Sequence, residues 1–358
     1  MNKTIVLTGG GTAGHVTPNM ALIPLLQKDG WEIHYIGSYN GMERSLIEPL
    51  RGVTYHGIAS GKLRRYFSLK NLTDPFRVLK GAGEAKKLLR KIQPDVVFAK
   101  GGFVCVPVAF AAKACHVPLV LHESDYTCGL ANRLCAPRAQ TVCVSFEPTL
   151  AGVKGGKGVW TGSPIRAEIL QGDADRAQLF CGFEKPEKPW ILFMGGSMGS
   201  AALNAAVKEA FEALCASYNI VHIRGKNNLD LTLSDPSYRQ YEYVSEQMAD
   251  LYAASALSVC RAGANTCFEL LALREPSVLV PLPAANSRGD QILNAQFFQK
   301  NGYADILYQE DITAQTLLRA IETALHRAPQ MQAAMAASPM KNGTQNVLEQ
   351  IVRAAGVQ

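Results

Sequence analysis

Short apolar runs alternate with amphipathic stretches along the whole chain. Residues 4–8, 32–36, 96–99, 119–122 and 141–145 in the first half, and 190–194, 220–224, 257–260 and 278–281 in the second, read as buried strands. Between them, 18–27 and 81–92, then 201–216, 265–273, 291–300 and 314–326, carry helical spacing. This alternation predicts an α/β fold with parallel sheets and crossover helices. A chain of 358 residues suits two domains of roughly 150 residues each. The Gly155-Gly156-Lys157-Gly158 run and the Gly162-Ser163-Pro164 step are the natural break. The expected domains are 1–163 and 164–358, with the final helix able to pack back on the first.

Both halves share a local signature. The strand at 5–8 ends in Gly9-Gly10-Gly11-Thr12-Ala13-Gly14-His15, and the strand at 191–194 ends in Gly195-Gly196-Ser197-Met198-Gly199-Ser200. Each is a glycine-rich turn from strand into helix, and Gly101-Gly102 repeats the pattern after 96–99. Two Rossmann-like doubly wound domains facing a central cleft are expected, with ligand at the strand ends.

Composition narrows the class. Hydrophobic residues make up 47% and charged residues 18%, which excludes a disordered chain. None of the nine cysteines forms a CxxC pair, so neither a zinc site nor a dithiol motif is indicated, and reduced cytosolic thiols are expected. The apolar stretch 103–121 is broken by Pro107, Lys113, His116 and Pro118, which argues against a spanning helix. Met1-Asn2-Lys3 leads straight into a strand rather than a signal-peptide core. The expectation is a soluble protein, or one attached to a membrane surface.

The charge is uneven. Residues 1–163 carry 20 Lys/Arg against 10 Asp/Glu, whereas 164–358 carry 16 against 20. Ten basic residues fall within 62–91, interleaved with apolar ones. Basic plus apolar is what an anionic lipid surface attracts. Lys62, Leu63, Arg64, Arg65, Tyr66, Phe67, Phe76, Lys86 and Lys87 are the docking candidates, a solvated basic face being the plainer alternative. No RNA-binding module motif accompanies them, so nucleic acid is not an expected partner.

The first loop fits G-x-G-x-x-G through Gly9, Gly11 and Gly14, a turn that lets backbone approach phosphate at a helix N-terminus. A NAD(P)-dependent oxidoreductase would also place an acid at the end of the second strand. That strand ends Tyr35-Ile36-Gly37-Ser38-Tyr39-Asn40. The second loop, G-x-S-x-G through Ser197, equally fits an α/β-hydrolase nucleophile elbow. Its later histidines are His222, inside a strand, and His326, in a helix. In Cys260-Arg261-Ala262-Gly263-Ala264-Asn265-Thr266-Cys267-Phe268-Glu269 a slim turn capped by Gly263 to Asn265 offers a seat for pyrophosphate, and Glu269 a carboxylate for ribose hydroxyls. His15, at the first helix N-terminus, is the candidate general base. His122-Glu123-Ser124-Asp125 adds a polar cluster at another strand end, its two carboxylates free either to bind sugar hydroxyls or to cap the next helix. None of these loops carries D-x-D, so no metal is indicated there.

Taken together, these residues resemble the MurG family, the undecaprenyl-diphospho-muramoylpentapeptide β-N-acetylglucosaminyltransferases. The resemblance runs from Thr4 to Val352 through GGGTAGHVTP (9–18), GMERSLI (41–47), SGKLRRYF (60–67), KGGFV (100–104), HESD (122–125), GLAN (129–132), TGSPIR (161–166), GGSMGS (195–200), CRAGANTCFE (260–269) and DQILNA (290–295). It implies a GT-B fold and inverting transfer of GlcNAc from the co-substrate UDP-GlcNAc to the C4 hydroxyl of lipid I, giving lipid II, without a cofactor. It further implies peripheral attachment at the cytoplasmic face of the cell membrane and contact with cell-wall synthesis proteins. By motif, Thr12, Ala13 and Gly14 fall to the donor sugar, His15 to the base, and Asp125 and Arg166 to donor binding. Ser197 falls to the diphosphate and Ser245 to the uracil. Ala264, Asn265, Thr266, Cys267, Phe268 and Glu269 fall to diphosphate and ribose, and Gln291 to GlcNAc. The chain departs from the family with Asp125 for Asn, Met198 for Gln, Asp290 for a first Gln, Ala13 for Gly and Phe103 for Tyr.

Overall fold

A computed structural model of the chain describes residues 3–61, 70–196, 198–286, 288–339 and 342–356. It divides into two compact units, Met1–Arg166 with Asn342–Gln358, and Ala167–Lys341. The division falls after Arg166, and the last segment, with the final helix, clusters with the first unit.

In the first unit β1 (Thr4–Thr8), β2 (Glu32–Ser38), β3 (Val53–Ile58), β4 (Val96–Ala99), β5 (Leu119–Glu123), β6 (Thr141–Val144) and β7 (Gly158–Trp160) form a sheet of order β3-β2-β1-β4-β5-β6-β7. Every pairing is parallel. Alternate residues feed two cores. Val6, Val97, Ala99, Leu121, Val142 and Val144 pack under Ala85 and Leu89 of helix Lys70–Ile92 and the helix Cys105–Ala114. Ile5, Leu7, Val96, Phe98, Val120 and Cys143 face the other way, against Leu22 and Leu26 of helix Thr17–Lys28. Val347, Leu348, Ile351 and Ala354 of helix Thr344–Ala354 complete that second layer, which is why the terminal segment belongs here. Burial on both faces explains the near-continuous apolar strands.

In the second unit β8 (Trp190–Met194), β9 (Asn219–Ile223), β10 (Tyr238–Tyr241), β11 (Leu257–Cys260), β12 (Ser277–Leu279) and β13 (Asp305–Ile306) form a parallel sheet of order β10-β9-β8-β11-β12-β13. The helix expected at 201–216 is two, Ala201–Glu209 and Phe211–Ser217, broken where Ala210 leaves helical dihedrals (φ −91°, ψ 6°). The helix expected at 314–326 continues through Pro329 to Ala337.

Strand order reverses between β1 and β4 in one sheet and between β8 and β11 in the other. Doubly wound sheets take ligands at such reversals, outside the carboxyl ends of the strands. Each glycine loop lies there. Among the described residues no helix is long and apolar enough to cross a membrane.

Candidate active site

In the first unit the loop after β1 closes into a 3₁₀ turn, Ala13–His15, before helix Thr17–Lys28 begins. Thr12 and Gly14 are exposed, Ala13 and His15 half-buried. His15 Nδ1 lies 3.1 Å from the Gly10 carbonyl oxygen and 3.1 Å from Thr12 Oγ1. A carbonyl only accepts, so Nδ1 carries the hydrogen and Nε2 is the basic nitrogen. The ring lies over Gly101, where an added Cβ would stand 3.1 Å from Cδ2 and 3.4 Å from Nε2. Gly102, at φ +81°, lets the second glycine turn close on the first, since a Cβ there would lie 2.1 Å from Gly10 O.

A carboxylate does stand near the end of β2, supplied by Glu43 from the following helix, Met42–Ile47. It accepts hydrogen bonds from Ser38 N (2.9 Å), Ser38 Oγ (2.5 Å) and Gly11 N (3.1 Å). Burial pushes the pKa of this carboxyl up, but the Ser38 and Gly11 donors outweigh it and hold the group below its usual range. The acid is committed to bracing the glycine loop. Glu43 sits in a helix beyond the strand end, where the pattern of the strand gives no sign of it.

The cluster after β5 divides by role. Glu123 is buried and accepts from Asp125 N (3.0 Å), Gly129 N (2.8 Å) and Asn132 Nδ2 (2.9 Å), building the turn. His122 donates from Nε2 to the Gly162 carbonyl at 2.9 Å, and burial drives its pKa far down, so it is neutral and structural. Asp125 is half-buried at the rim. Lys100, directly after β4, is 1% exposed and points at Ser124 Oγ, to which its ammonium donates. Arg166 closes the unit, directly after Ile165, whose N–H donates to Thr344 Oγ1 at 2.9 Å.

In the second unit the loop after β8 meets the turn after β9. Gly199, at φ +77°, leaves room that a Cβ would take from the Arg224 carbonyl at 2.0 Å. Ser200 caps helix Ala201–Glu209 by accepting from Leu203 N at 3.3 Å. Ser197 lies outside the described residues, as do Lys62, Leu63, Arg64, Arg65, Tyr66 and Phe67. The loop after β11 opens helix Ala264–Leu273, whose N-cap is Gly263 with no capping side chain. Asn265 therefore does not cap this helix, contrary to the sequence reading, because it already lies in the first turn. The N-terminus of a helix presents N–H groups and the positive dipole end to an anion. Asn265, Thr266 and Glu269 are half-buried, whereas Ala264, Cys267 and Phe268 are buried. Phe268 packs edge-on against Phe298 at 5.8 Å, so its side chain is core.

Arg261 ties neighbouring loops to this turn. It donates to the Val280 (3.1 Å) and Pro281 (3.4 Å) carbonyls and to Gln309 Oε1 (2.6 Å). Asn294 donates to Ala262 O at 3.1 Å, and Gln291 Oε1 accepts from Leu282 N at 3.0 Å. Ser245 is exposed, ahead of helix Met248–Ala254. His222 is held by Tyr238 OH (3.0 Å) and Asn204 Oδ1 (2.9 Å), and burial lowers its pKa to about 3. His326 lies within helix Ala314–Ala337. Neither histidine is placed as a hydrolase base. Among the described residues no group of three or more His, Cys, Asp or Glu side chains is set to hold a metal ion.

Comparison with known proteins agrees with this architecture. Residues 5–144 match the glycosyltransferase family 28 N-terminal domain and residues 190–351 its C-terminal domain. A Clostridium botulinum protein, "UDP-N-acetylglucosamine--N-acetylmuramyl-(pentapeptide) pyrophosphoryl-undecaprenol N-acetylglucosamine transferase", is 49% identical over 350 residues, covering 98% of each chain. A Clostridium perfringens protein of the same name is 47% identical over 352 residues, again with 98% of each covered. The crystal structure of Acinetobacter baumannii MurG superposes with a TM-score of 0.77 at 26% identity, covering 98% of this chain and 99% of that one. With this likeness over nearly its whole length, and a glycine-lined strand reversal in each of its two sheets, the chain belongs to the MurG family of GT-B glycosyltransferases.

Proposed function

We propose that the enzyme moves GlcNAc from UDP-GlcNAc to the C4 hydroxyl of undecaprenyl-diphospho-MurNAc-pentapeptide, with inversion at the anomeric carbon. The acceptor oxygen forms a bond to C1 as the bond from C1 to the phosphate oxygen breaks, and UDP leaves with the electron pair. His15 Nε2 takes the hydroxyl proton. The observation that carries this reading is the fixed His15 tautomer, with Nδ1 donating to Gly10 O at 3.1 Å, in a chain so similar to transferases of that name. A base needs its proton on the other nitrogen, and this hydrogen bond holds it on Nδ1.

The second unit takes UDP. Charge developing on the diphosphate falls to the N–H groups of Ala264, Asn265 and Thr266, the preorganised donors that lower such barriers most. Ser197 adds a hydroxyl there. Cys267 and Phe268 contribute backbone alone, their side chains being buried. Glu269 accepts from the ribose hydroxyls, Ser245 lies by the uracil, and Gln291 reaches GlcNAc through Nε2, its Oε1 being used by Leu282 N. Thr12, Ala13, Gly14, Asp125 and Arg166 complete the donor contacts.

The first unit takes lipid I and docks on the cytoplasmic face of the membrane. Phe76 and Leu79 on helix Lys70–Ile92 are 73% and 70% exposed beside exposed Arg77, Lys80 and Lys87, with Lys86 half-buried. Apolar side chains ringed by cations suit anionic headgroups. The test is UDP release from UDP-GlcNAc with a soluble lipid I analogue. Turnover that needs both substrates is expected. No release with any muramoyl acceptor would overturn the reading.

A further inference from the structure

Glu43 occupies an unusual place. Glutamate is almost never fully buried unless paired, yet this one is 1% exposed, in helix Met42–Ile47 beside the first glycine loop. Its partners are N–H and O–H groups. Oε1 accepts from Ser38 N and Ser38 Oγ, and Oε2 accepts from Gly11 N at 3.1 Å. Burial opposes ionisation, but those donors hold the carboxyl below its usual range, so at neutral pH it is a carboxylate. It packs so closely on the loop that a Cβ built on Gly10 would lie 2.5 Å from its Cδ. The N–H of Gly11 and the C=O of Gly10 belong to one peptide group, which is trans and therefore points them in opposite directions. Glu43 takes the N–H end at 3.1 Å, and His15 Nδ1 meets the C=O end at 3.1 Å. One peptide thus joins the buried carboxylate to the imidazole.

We propose that Glu43 is a positioning residue for the general base, which acts through the Gly10–Gly11 peptide and selects the His15 tautomer with its lone pair on Nε2. The inference rests on the reading of His15 as the base. A peptide between two glycines turns over at little steric cost, because neither neighbour has a Cβ. Turned over, it would set the Gly10 oxygen against the Glu43 carboxylate and offer an N–H to His15 Nδ1. Nδ1 would then accept, and the ring hydrogen would move to Nε2, leaving no lone pair there for the proton. The carboxylate, which can only accept, disfavours that orientation. In the native orientation it also polarises the peptide, strengthening the bond that the carbonyl accepts from Nδ1. Thr12 Oγ1, also 3.1 Å from Nδ1, can donate or accept and so leaves the choice open.

An amide at position 43 removes the selection. Gln has one accepting oxygen and one donating NH2 group, whereas the N–H groups of Ser38 and Gly11 both need an acceptor. With its oxygen on Ser38 N, its NH2 faces the Gly10–Gly11 peptide and is satisfied only when that peptide presents its oxygen. Glu43→Gln therefore turns the peptide, and the tautomer with it, while keeping the size of the side chain and every residue of the second unit.

The experiment isotopically labels the histidine nitrogens of the full-length enzyme and reads the His15 tautomer by NMR at neutral pH, its signal being assigned by its loss in His15→Ala. The wild type should carry the hydrogen on Nδ1, and Glu43→Gln should carry it mostly on Nε2. In UDP release with a soluble lipid I analogue, Glu43→Gln should lower kcat roughly tenfold or more, as a base held in the wrong tautomer does. Both KM values should stay within about threefold of wild type, the split that separates a catalytic loss from a binding one. In a His15→Ala background the same substitution should change kcat by less than about twofold, since residues that act through one another do not add. Ser38→Ala, a milder change that takes one hydrogen bond from the carboxylate, should shift tautomer and kcat in the same direction by a smaller factor, and it decides the matter should Glu43→Gln fail to fold. An unchanged tautomer in every folded variant, or the same fold-loss of kcat with and without His15, would overturn the proposal. If His15→Ala kept near-normal kcat, the base reading would fall, whereas the tautomer signal would still separate a Glu43 that orients the ring from one that does not.

Discussion

The base role proposed for His15 depends on its neighbours. One carbonyl, Gly10 O at 3.1 Å, fixes the proton on Nδ1 and makes Nε2 the basic nitrogen. His15→Ala should lower kcat roughly 10²-fold or more, the range for a lost general base, with both KM values little changed. Near-normal kcat with saturating lipid I analogue would remove His15 from that role. A second titratable side chain acts on stability alone. Glu275 is 6% exposed and accepts from Ser258 Oγ at 2.8 Å, and burial pushes its carboxyl up to about 8 despite that bond. The folded chain therefore keeps a proton that the unfolded chain releases from about pH 4.3 upward. Stability from this group is full below the ordinary carboxyl range and is lost as pH rises through 8. Glu275→Gln should match wild type in melting temperature near pH 5 and exceed it near pH 9. An identical pH slope in both proteins would assign the titration elsewhere.

At the scale of elements, the strand-to-helix loops place the chemistry, and close backbone approach makes their glycines indispensable. Gly102→Ala should cost about 1–3 kcal/mol in urea unfolding, the range for a strained backbone position, since its Cβ would meet Gly10 O at 2.1 Å with φ at +81°. Gly83, inside helix Lys70–Ile92 with nothing within 4 Å of an added Cβ, gives the contrast. Gly83→Ala should stabilise by about 0.5–1 kcal/mol through helix propensity. Equal effects at the two positions would show that the close approach after β4 is not a constraint. The same contrast of burial explains which strands could be read in advance. The nine expected from apolar runs are the interior strands, such as β4, β5 and β8, with every residue buried. Those passed over, β3, β7, β10 and β13, are the edges of the two sheets. They are largely half-buried, as in Gly158–Trp160 and Asp305–Ile306, and an edge strand needs no continuous apolar run.

For the whole molecule, the division of charge sets what each half can attract. The excess of Lys/Arg lies in residues 1–163, and its described part lies on helix Lys70–Ile92 around exposed Phe76 and Leu79. Charge reversal at Lys86 and Lys87 together with Arg64 and Arg65 should reduce co-sedimentation with anionic vesicles, most clearly at low salt, where screening is weakest. Undiminished vesicle binding would move the docking surface elsewhere. The sequence by itself determined the two parallel α/β units, the glycine loops and the family, because strand burial, helical period and turn chemistry are local and leave their mark residue by residue. Only the tertiary structure decided that the last helix completes the first unit, that Glu43 braces the glycine loop, and that Lys100 is buried with its ammonium on Ser124. Those depend on which side chains distant in sequence meet in the low-dielectric interior, and there the partner fixes the charge state of a group.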